Sequence, residues 1–163
     1  FRRVLFRSVV RQERTGLHMA DSISRVTSRQ KIGVFAMQQG PGTENAYGAV
    51  AQAYAESVPV LVLPQGHFRE QAQLDPNFSA FIKMREVAKS VEQAVSAKEL
   101  PNAMRRAFTR LRNGRPRPCI VELPQDVLTE EYPGELDYTP VLVTRSAPDP
   151  AVVPKAEIGR AHV

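Results

Sequence analysis

The length, composition and charge of the chain exclude several classes of protein. The chain has 163 residues, 42% of them hydrophobic, with 22 Lys and Arg against 17 Asp and Glu. This length fits one globular domain with its own core, and no apolar run approaches the roughly 20 residues that a membrane-spanning helix needs. A single cysteine, Cys119, excludes an internal disulfide and a cysteine-based zinc site. We therefore expect a cytoplasmic protein that has no membrane partner.

The net charge of +5 comes mainly from the two ends of the chain. Residues 1–8 and 158–163 hold four arginines and no acid, and without them 18 basic residues remain against 17 acidic ones. Residues 158–162 read as a translation of the DNA string ATCGGAAGAGCACAC, and residues 4–7 as a translation of its complement in another frame. Because this string resembles a sequencing-library adapter, we predict that 1–8 and 158–163 are adapter-derived and that nucleic acid is not a partner. The alternative is a basic arm that binds phosphate backbones.

The first half of the chain alternates predicted helices and strands. A helix is predicted from about Glu13 to Val26, with Leu17, Ala20 and Ile23 facing inward. Residues 31–37 and 59–64 are short, Val-rich apolar runs that are typical of strands covered on both faces. Between them, apolar residues at helical spacing predict a second helix with Thr43 as its N-cap: Tyr47, Val50, Ala51, Tyr54 and Val58.

The second half continues this alternation before it becomes rich in proline. Residues 66–82 are predicted to be a long loop with at most one helical turn, 87–93 a weak edge strand and 118–123 a third buried strand. An amphipathic helix is predicted between these two strands, with Pro101 in its first turn and Gly114 at its exit. Its inner stripe is Leu100, Ala103, Met104, Ala107, Phe108 and Leu111, and its outer face carries Arg105, Arg106, Arg110 and Arg112. We interpret that outer face as a solvated surface rather than an anion site. Residues 131–157 are predicted to be an extended linker.

The alternation predicts the fold class and one candidate ligand loop. It indicates an α/β fold with a doubly wound, mostly parallel sheet and helices on both faces, occupying residues 9–130. Residues 38–45 (QQGPGTEN) follow a strand and precede a helix, which is where open parallel sheets bind ligands. The motif is neither a Walker loop nor GxGxxG, so a tight turn explains it as well as a binding loop does.

Other residues with reactive side chains have simpler explanations in the sequence. An acid such as Glu13 at a helix start is usually a favourable charge on the helix dipole. Asp21 and Glu56 are interpreted as surface acids. His18 and His67 have no partner at the spacing of a metal site or a catalytic triad. Cys119 is interpreted as a small buried hydrophobic residue.

Four segments of the chain resemble a known family. They are RQE (11–13), HMADSISRVT (18–27), IGVFAMQQGPGTENAYGAVAQAYAESVPVLVLP (32–64) and GRPRPCIVELPQDVL (114–128). In this order they resemble the N-terminal, pyrimidine-binding domain of the thiamine diphosphate-dependent enzymes of the acetolactate synthase-like group. The resemblance covers nearly all of residues 9–130, and the run from GPGTEN to the following strand is its most specific part.

The resemblance implies a cofactor site. In this family a glutamate at the position of Glu13 hydrogen-bonds the ring nitrogen N1′ of the cofactor's aminopyrimidine and so helps to remove the proton from the thiazolium C2. The resemblance therefore implies that Glu13 is catalytic and that Gly40, Pro41, Gly42 and Asn45 join it in binding thiamine diphosphate. No metal ligand is assigned to this chain. The family holds Mg²⁺ and the diphosphate on a C-terminal domain with a Gly-Asp-Gly motif, which this sequence lacks, and the resemblance leaves FAD open.

The resemblance also implies partners and a larger protein. The substrate class is a 2-oxo acid or an aldehyde. The family's active site forms between the pyrimidine domain of one subunit and the diphosphate domain of another, which implies a homodimer or homotetramer. Because the family's domain has strands and a helix before the glutamate, we expect a sheet that is incomplete at its N-terminal side. We also expect residues 131–157 to lead to a missing central domain, and the fragment to be inactive alone.

Departures from the family pattern leave the reaction open. Gln12 replaces the histidine that often precedes the glutamate, and Ser22 stands where a glycine is common. Residues 66–82 lack the Phe-Gln pair of acetolactate synthases. The resemblance therefore covers oxidases, decarboxylases, lyases and carboligases. The alternative function is a non-catalytic binding or assembly module with the same fold.

Overall fold

The computed structural model describes residues 8–150, except residues 73, 75, 76, 78, 79, 137, 141, 143–146 and 148. The predictions for residues 1–7 and 158–163 lie outside these described residues, as does the end of the predicted linker. The described part of residues 131–150 contains neither a helix nor a strand. The adapter origin of the ends and the domain boundaries stay predictions.

The structure confirms the predicted α/β architecture. Among the described residues, four strands form one sheet in the order β1-β2-β4-β3, and each neighbouring pair is parallel. The strands are β1 (Gly33–Met37), β2 (Val60–Gly66), β3 (Ser90–Gln93) and β4 (Cys119–Pro124). The helices are α1 (Glu13–Val26), α2 (Pro41–Ala55), α3 (Leu100–Arg112) and α4 (Gln125–Thr129), with a 3₁₀ helix over Phe81–Val87. Because all the strands are parallel, their carboxyl ends meet at one edge of the sheet.

Helices cover both faces of the sheet, as predicted. On one face, Leu17 of α1 and Val50 of α2 pack with Val62 and Ile120 of the central strands. On the other face, a second cluster contains Ala107 and Leu111 of α3 together with strand and α4 residues. Adjacent residues of a strand point to opposite faces, so the central strands are buried on both sides and read as continuous apolar runs.

Helix α1 has its predicted bounds, but its inward face was partly wrong. Leu17 and Ala20 are buried, whereas Ile23 is 46% exposed and Ser24 is buried in its place. The reason is a polar bridge: the Ser24 hydroxyl donates to the Pro59 carbonyl at 2.6 Å and accepts from the Gly33 N–H at 2.9 Å. This bridge joins α1 to the starts of β1 and β2.

The interpretation of Asp21 as a surface acid was also wrong. Asp21 is only 6% exposed and accepts a hydrogen bond from Arg25 at 2.5 Å, one turn further along α1. The same guanidinium pairs with Glu56 at the end of α2. The hydrogen bond that Arg25 donates to Asp21 is the main cause that raises the pKa of Arg25. Arg25 therefore joins the C-terminal ends of α1 and α2.

Helix α2 begins two residues earlier than Thr43, so that N-cap prediction was wrong. Gly40 is the N-cap, and Thr43 is buried inside the helix, where its hydroxyl donates to the Gln38 carbonyl at 3.2 Å. The predicted stripe was wrong in part as well, because Tyr47 is 40% exposed and Val58 lies beyond the helix. The buried face is Ala46, Ala49, Val50 and Ala53, whose small side chains let α2 pack closely.

The second half of the domain follows its predictions closely. Strand β3 is shorter than the predicted 87–93, and the 3₁₀ helix over Phe81–Val87 overlaps only the last two residues of the predicted loop and the first residue of the predicted strand. Cys119 is buried and free, and burial raises the pKa of its thiol. The outer arginines of α3 are partly paired: Arg106 contacts Glu92 and Glu99. Within the described residues, no helix has the length and apolar character needed to cross a membrane.

Candidate functional site

The candidate site lies where α1 and α2 both begin, beside the carboxyl end of β1. Helix α1 packs antiparallel to β1. Its first residue, Glu13, therefore lies at the edge of the sheet where β1 ends. The chain then leaves β1 through Gln38 and Gln39 and enters α2 at Gly40. Two helix N-termini at one edge place partly positive N–H groups there. Such an edge favours an acidic side chain or an anionic ligand.

Glu13 meets the glycine-rich motif in space. The Asn45 side-chain amide donates to Glu13 Oε2 at 3.3 Å, across 32 residues of sequence. Gly42 lies beside the same carboxylate: a Cβ there would be 3.4 Å from Glu13 Oε1 and 3.1 Å from the Cβ of Gln38. Glu13 is half-buried and Asn45 is exposed. The structure therefore brings together Glu13, Gly42 and Asn45.

Gly40 and Pro41 shape the turn that makes this contact. Gly40 has φ +56° and ψ −112°, a conformation in the left-handed half of the map that favours glycine. Pro41 is in the first turn of α2, where its missing N–H costs nothing and its fixed φ suits the helix. Neither residue forms a hydrogen bond with Glu13 in the described part of the chain. Their effect on the site is to set where α2 starts.

The structure adds two glutamines that sequence reasoning did not select. Gln38 lines a cleft of about 310 Å³ together with Glu13, Val10 and Phe35. Gln39 Oε1 is buried and has no hydrogen-bond partner among the described residues, which is uncommon for a buried acceptor. The sequence signal that could have identified these two glutamines is their position between the end of a strand and a glycine-rich turn. Val9 and Val10, which precede Glu13, form no strand.

The other reactive residues lie elsewhere in the fold. His18 is half-buried in α1, and His67 follows directly after β2. The described part of the chain contains no group of three or more His, Cys, Asp or Glu residues arranged to hold a metal ion. The chemistry available at the site is therefore that of the Glu13 carboxylate and the side-chain amides of Gln38, Gln39 and Asn45.

Comparison with known proteins identifies the family. Residues 7–97, more than half of the chain, match the family described as "Thiamine pyrophosphate enzyme, N-terminal TPP binding domain". The chain belongs to this family. The resemblance seen in the sequence is thereby confirmed, and so is the fold class.

Curated relatives and a solved structure show how much of a family member the chain represents. It is 32% identical over 126 residues to acetolactate synthase isozyme 3 large subunit from Escherichia coli K12, covering 74% of this chain and 21% of that protein. It is 32% identical over 144 residues to glyoxylate carboligase from Escherichia coli O157:H7, covering 85% and 24%. Benzoylformate decarboxylase from Polynucleobacter necessarius superposes with a TM-score of 0.78 at 24% identity, covering 91% and 28%. The chain thus spans less than a quarter of the length of these two curated relatives.

Proposed function

We propose that this chain supplies the cofactor-activating part of a thiamine diphosphate-dependent enzyme of the acetolactate synthase-like group. Its substrate class would be a 2-oxo acid or an aldehyde. The observation that carries the proposal is the convergence of Glu13 with Gly42 and Asn45 at the carboxyl edge of β1. The relatives named acetolactate synthase and glyoxylate carboligase support the carboligase class.

The residues at this edge fit the aminopyrimidine of the cofactor. Gly42 has no side chain, so space remains beside the Glu13 carboxylate. A Cβ at this position would lie 3.4 Å from Glu13 Oε1. Gln39 Oε1 is a buried acceptor that the chain leaves unpaired. In our proposal Gly40, Pro41, Gly42 and Asn45 contact the aminopyrimidine and Glu13 holds the proton at its ring nitrogen N1′. When bound, thiamine diphosphate supplies a carbon nucleophile for attack on a carbonyl group.

Each of the three residues that meet at the site has a defined task in this proposal. Asn45 donates to one carboxylate oxygen of Glu13 and thereby fixes the rotation of the carboxyl group. Gly42 keeps the second oxygen uncrowded. The half-burial of Glu13 limits competition from water for the proton that it holds. A carboxyl positioned in this way acts as a general acid and base toward one ring nitrogen.

The remaining parts of the active site lie outside this chain in our proposal. Mg²⁺ and the diphosphate would be held by a further domain, contributed by another subunit of a homodimer or homotetramer. Whether FAD binds, and the cytoplasmic location, stay predictions. We expect the purified 163-residue chain, supplied with thiamine diphosphate and Mg²⁺, to show no turnover of 2-oxo acids. Measurable turnover would contradict the division of the active site between subunits.

The decisive experiment is the substitution Glu13→Gln in the full-length protein encoded by the source gene. We expect cofactor activation, measured as hydrogen–deuterium exchange at the thiazolium C2, to fall by about 10²–10⁴-fold, the range for loss of a positioned acid–base group. Glu44→Gln is the matched control, because Glu44 is an exposed acid of the same motif. An E13Q protein that exchanges as fast as E44Q would refute the assignment.

The same full-length gene tests the alternative of a non-catalytic assembly module. A downstream Gly-Asp-Gly…Asn segment would provide the diphosphate and metal site that an enzyme needs. Its absence, together with no binding of thiamine diphosphate by the full-length protein, would favour the module.

A further inference from the structure

A second carboxylate is buried at the carboxyl edge of the sheet. Glu122 of the central strand β4 is only 3% exposed. A buried carboxylate is costly unless hydrogen bonds satisfy it. Gln93, which lies opposite Glu122 in the register of β3 and β4, donates its side-chain amide to Glu122 Oε2 at 2.5 Å. The proposed function leaves this group without a task.

The neighbouring strand is built around the same carboxylate. A Cβ on Gly66 of β2 would lie 2.8 Å from Glu122 Cδ and 3.1 Å from Oε1. Both distances are shorter than an ordinary contact, so a side chain at position 66 would displace the Glu122 carboxyl group. Gly66, Gln93 and Glu122 come from three adjacent strands, and we refer to them together as the edge cluster.

The edge cluster lies on the sheet face that carries the candidate site. Ile120, two residues before Glu122, belongs to the core under α1 and α2. Because alternate residues of a strand point the same way, Glu122 faces that core as well. The carboxyl edge on this face also receives the first residues of α1 and α2, which contain Glu13 and Asn45.

Two loops leave the sheet directly from the edge cluster and are tied to each other. Residues 67–72 follow Gly66, and residues 94–99 follow Gln93. Arg69 joins them: its guanidinium donates to the Val95 carbonyl and, through Nε at 2.5 Å, to Asp126 at the start of α4. The Arg69 backbone N–H also donates to Asp126, at 3.2 Å. Gly66 and Gln93 are the last residues of β2 and β3 before these loops, and Arg69 joins the two loops to each other.

We propose that Glu122 is a positioning residue that sets the path of residues 67–72 for recognition of the 2-oxo acid. The inference rests on the proposed function. Ligands of open parallel sheets bind at the carboxyl ends of the strands, and residues 67–72 leave the strand adjacent to β1. Glu122 acts through Gly66 and Gln93, whereas Glu13 holds the cofactor proton. Disturbing the edge cluster therefore weakens substrate binding and spares cofactor activation.

The test uses Gly66→Ala in the full-length protein. We expect KM for a 2-oxo acid to rise about tenfold, with kcat changed less than about twofold. This pattern results when an interaction that stabilises the bound substrate and the transition state equally is lost. In the double variant with Glu122→Asp the shorter acid withdraws from the new Cβ, so KM should return most of the way to wild type. Gln93→Ala removes the donor without a clash and should raise KM as Gly66→Ala does. Gly48→Ala, at a helical glycine with nothing within 4 Å of the added Cβ, is the control.

A second measurement follows the loop itself. Amide hydrogen exchange in the full-length protein should become faster at residues 67–72 in Gly66→Ala and return toward wild type in the double variant. Unchanged exchange, or unchanged KM in an active Gly66→Ala enzyme, would overturn the positioning role alone. A loss of kcat at constant KM would also overturn it, because Glu122 would then act in the chemical step. A wild-type enzyme inert toward 2-oxo acids would instead refute the proposed function and the substrate role with it.

Discussion

Gly42→Ala is the substitution that tests the geometry of the candidate site with the smallest chemical change. It adds one methyl group inside α2 and leaves Glu13 and Asn45 in place. The added Cβ would lie 3.1 Å from Gln38 Cβ, 3.4 Å from Glu13 Oε1 and 3.7 Å from Glu13 Cγ. Only the first distance is tighter than an ordinary contact, so neighbouring atoms have to move by a few tenths of an ångström.

The expected effects on stability and on activity therefore differ. Alanine is favoured over glycine inside a helix by up to about 1 kcal/mol, and this gain offsets the crowding, so the unfolding free energy should change by less than about 1 kcal/mol. Gln38 is the residue that must yield, and we expect its movement to displace the Glu13 carboxylate, which lines the same cleft. A misplacement of 1 Å costs about 10²-fold in rate, so a shift of a few tenths should lower cofactor activation by about tenfold.

The control for this prediction is Gly48→Ala in the same helix. A Cβ on Gly48 meets nothing within 4 Å, so the variant should gain the full helix preference of about 1 kcal/mol and about 2–4 °C in Tm. Urea and thermal unfolding of the 163-residue chain measure stability, and exchange at the cofactor's C2 in the full-length protein measures activation. If Gly42→Ala activates the cofactor as well as Gly48→Ala does, the contact between Gly42 and Glu13 has no functional weight.

Two further predictions concern packing and pH. Gly33→Ala should cost at least about 3 kcal/mol in urea unfolding, because its Cβ would lie 1.8 Å from the Ala20 carbonyl oxygen and backbone must move; wild-type stability would contradict the close packing of α1 on β1. Burial alone would raise the pKa of Asp126, but hydrogen bonds from Arg69 hold that pKa below its usual 3.8. The stabilisation by this pair is therefore present above pH 3.8 and lost as pH falls through the lower folded value. The stability difference between wild type and Asp126→Asn should shrink from pH 7 to pH 3, and a difference independent of pH would contradict it.

The sequence predicted the elements well because their signals are local. Continuous Val-rich runs indicated strands buried on both faces, and three of the four strands were placed within a few residues. Helix α1 was placed at its observed bounds from its apolar spacing. The errors arose where tertiary packing decides. Ser24 replaces Ile23 in the interior because it bridges the starts of two strands. Gly40 is the N-cap of α2 because its φ of +56° forms the turn that leads into the helix before Thr43 is reached.

The candidate site was less predictable, because its central contact is not local. Spacing alone offered a helix-dipole explanation for Glu13 and a tight turn for the glycine-rich motif. Only the resemblance joined the two. The structure shows why: Glu13 and Asn45 meet through the packing of α1 against α2, which no periodicity within either helix encodes. Gln39 and the edge cluster were missed for the same reason, since an unpaired oxygen and a clash with an absent Cβ exist only in three dimensions.

The position of Glu13 depends on residues that lie outside the glycine-rich motif. Helix α1 approaches β1 so closely that a Cβ on Gly16 would lie 2.2 Å from the Phe35 ring, and one on Gly33 would meet the Ala20 carbonyl. These two glycines fix the height and rotation of α1 on the sheet, and Ser24 fixes its far end. Because these three positions hold α1 on β1, the first carboxylate of the helix, that of Glu13, is positioned beside Asn45. Substitutions at these points should therefore impair cofactor activation at a distance, by moving Glu13 rather than by changing its chemistry.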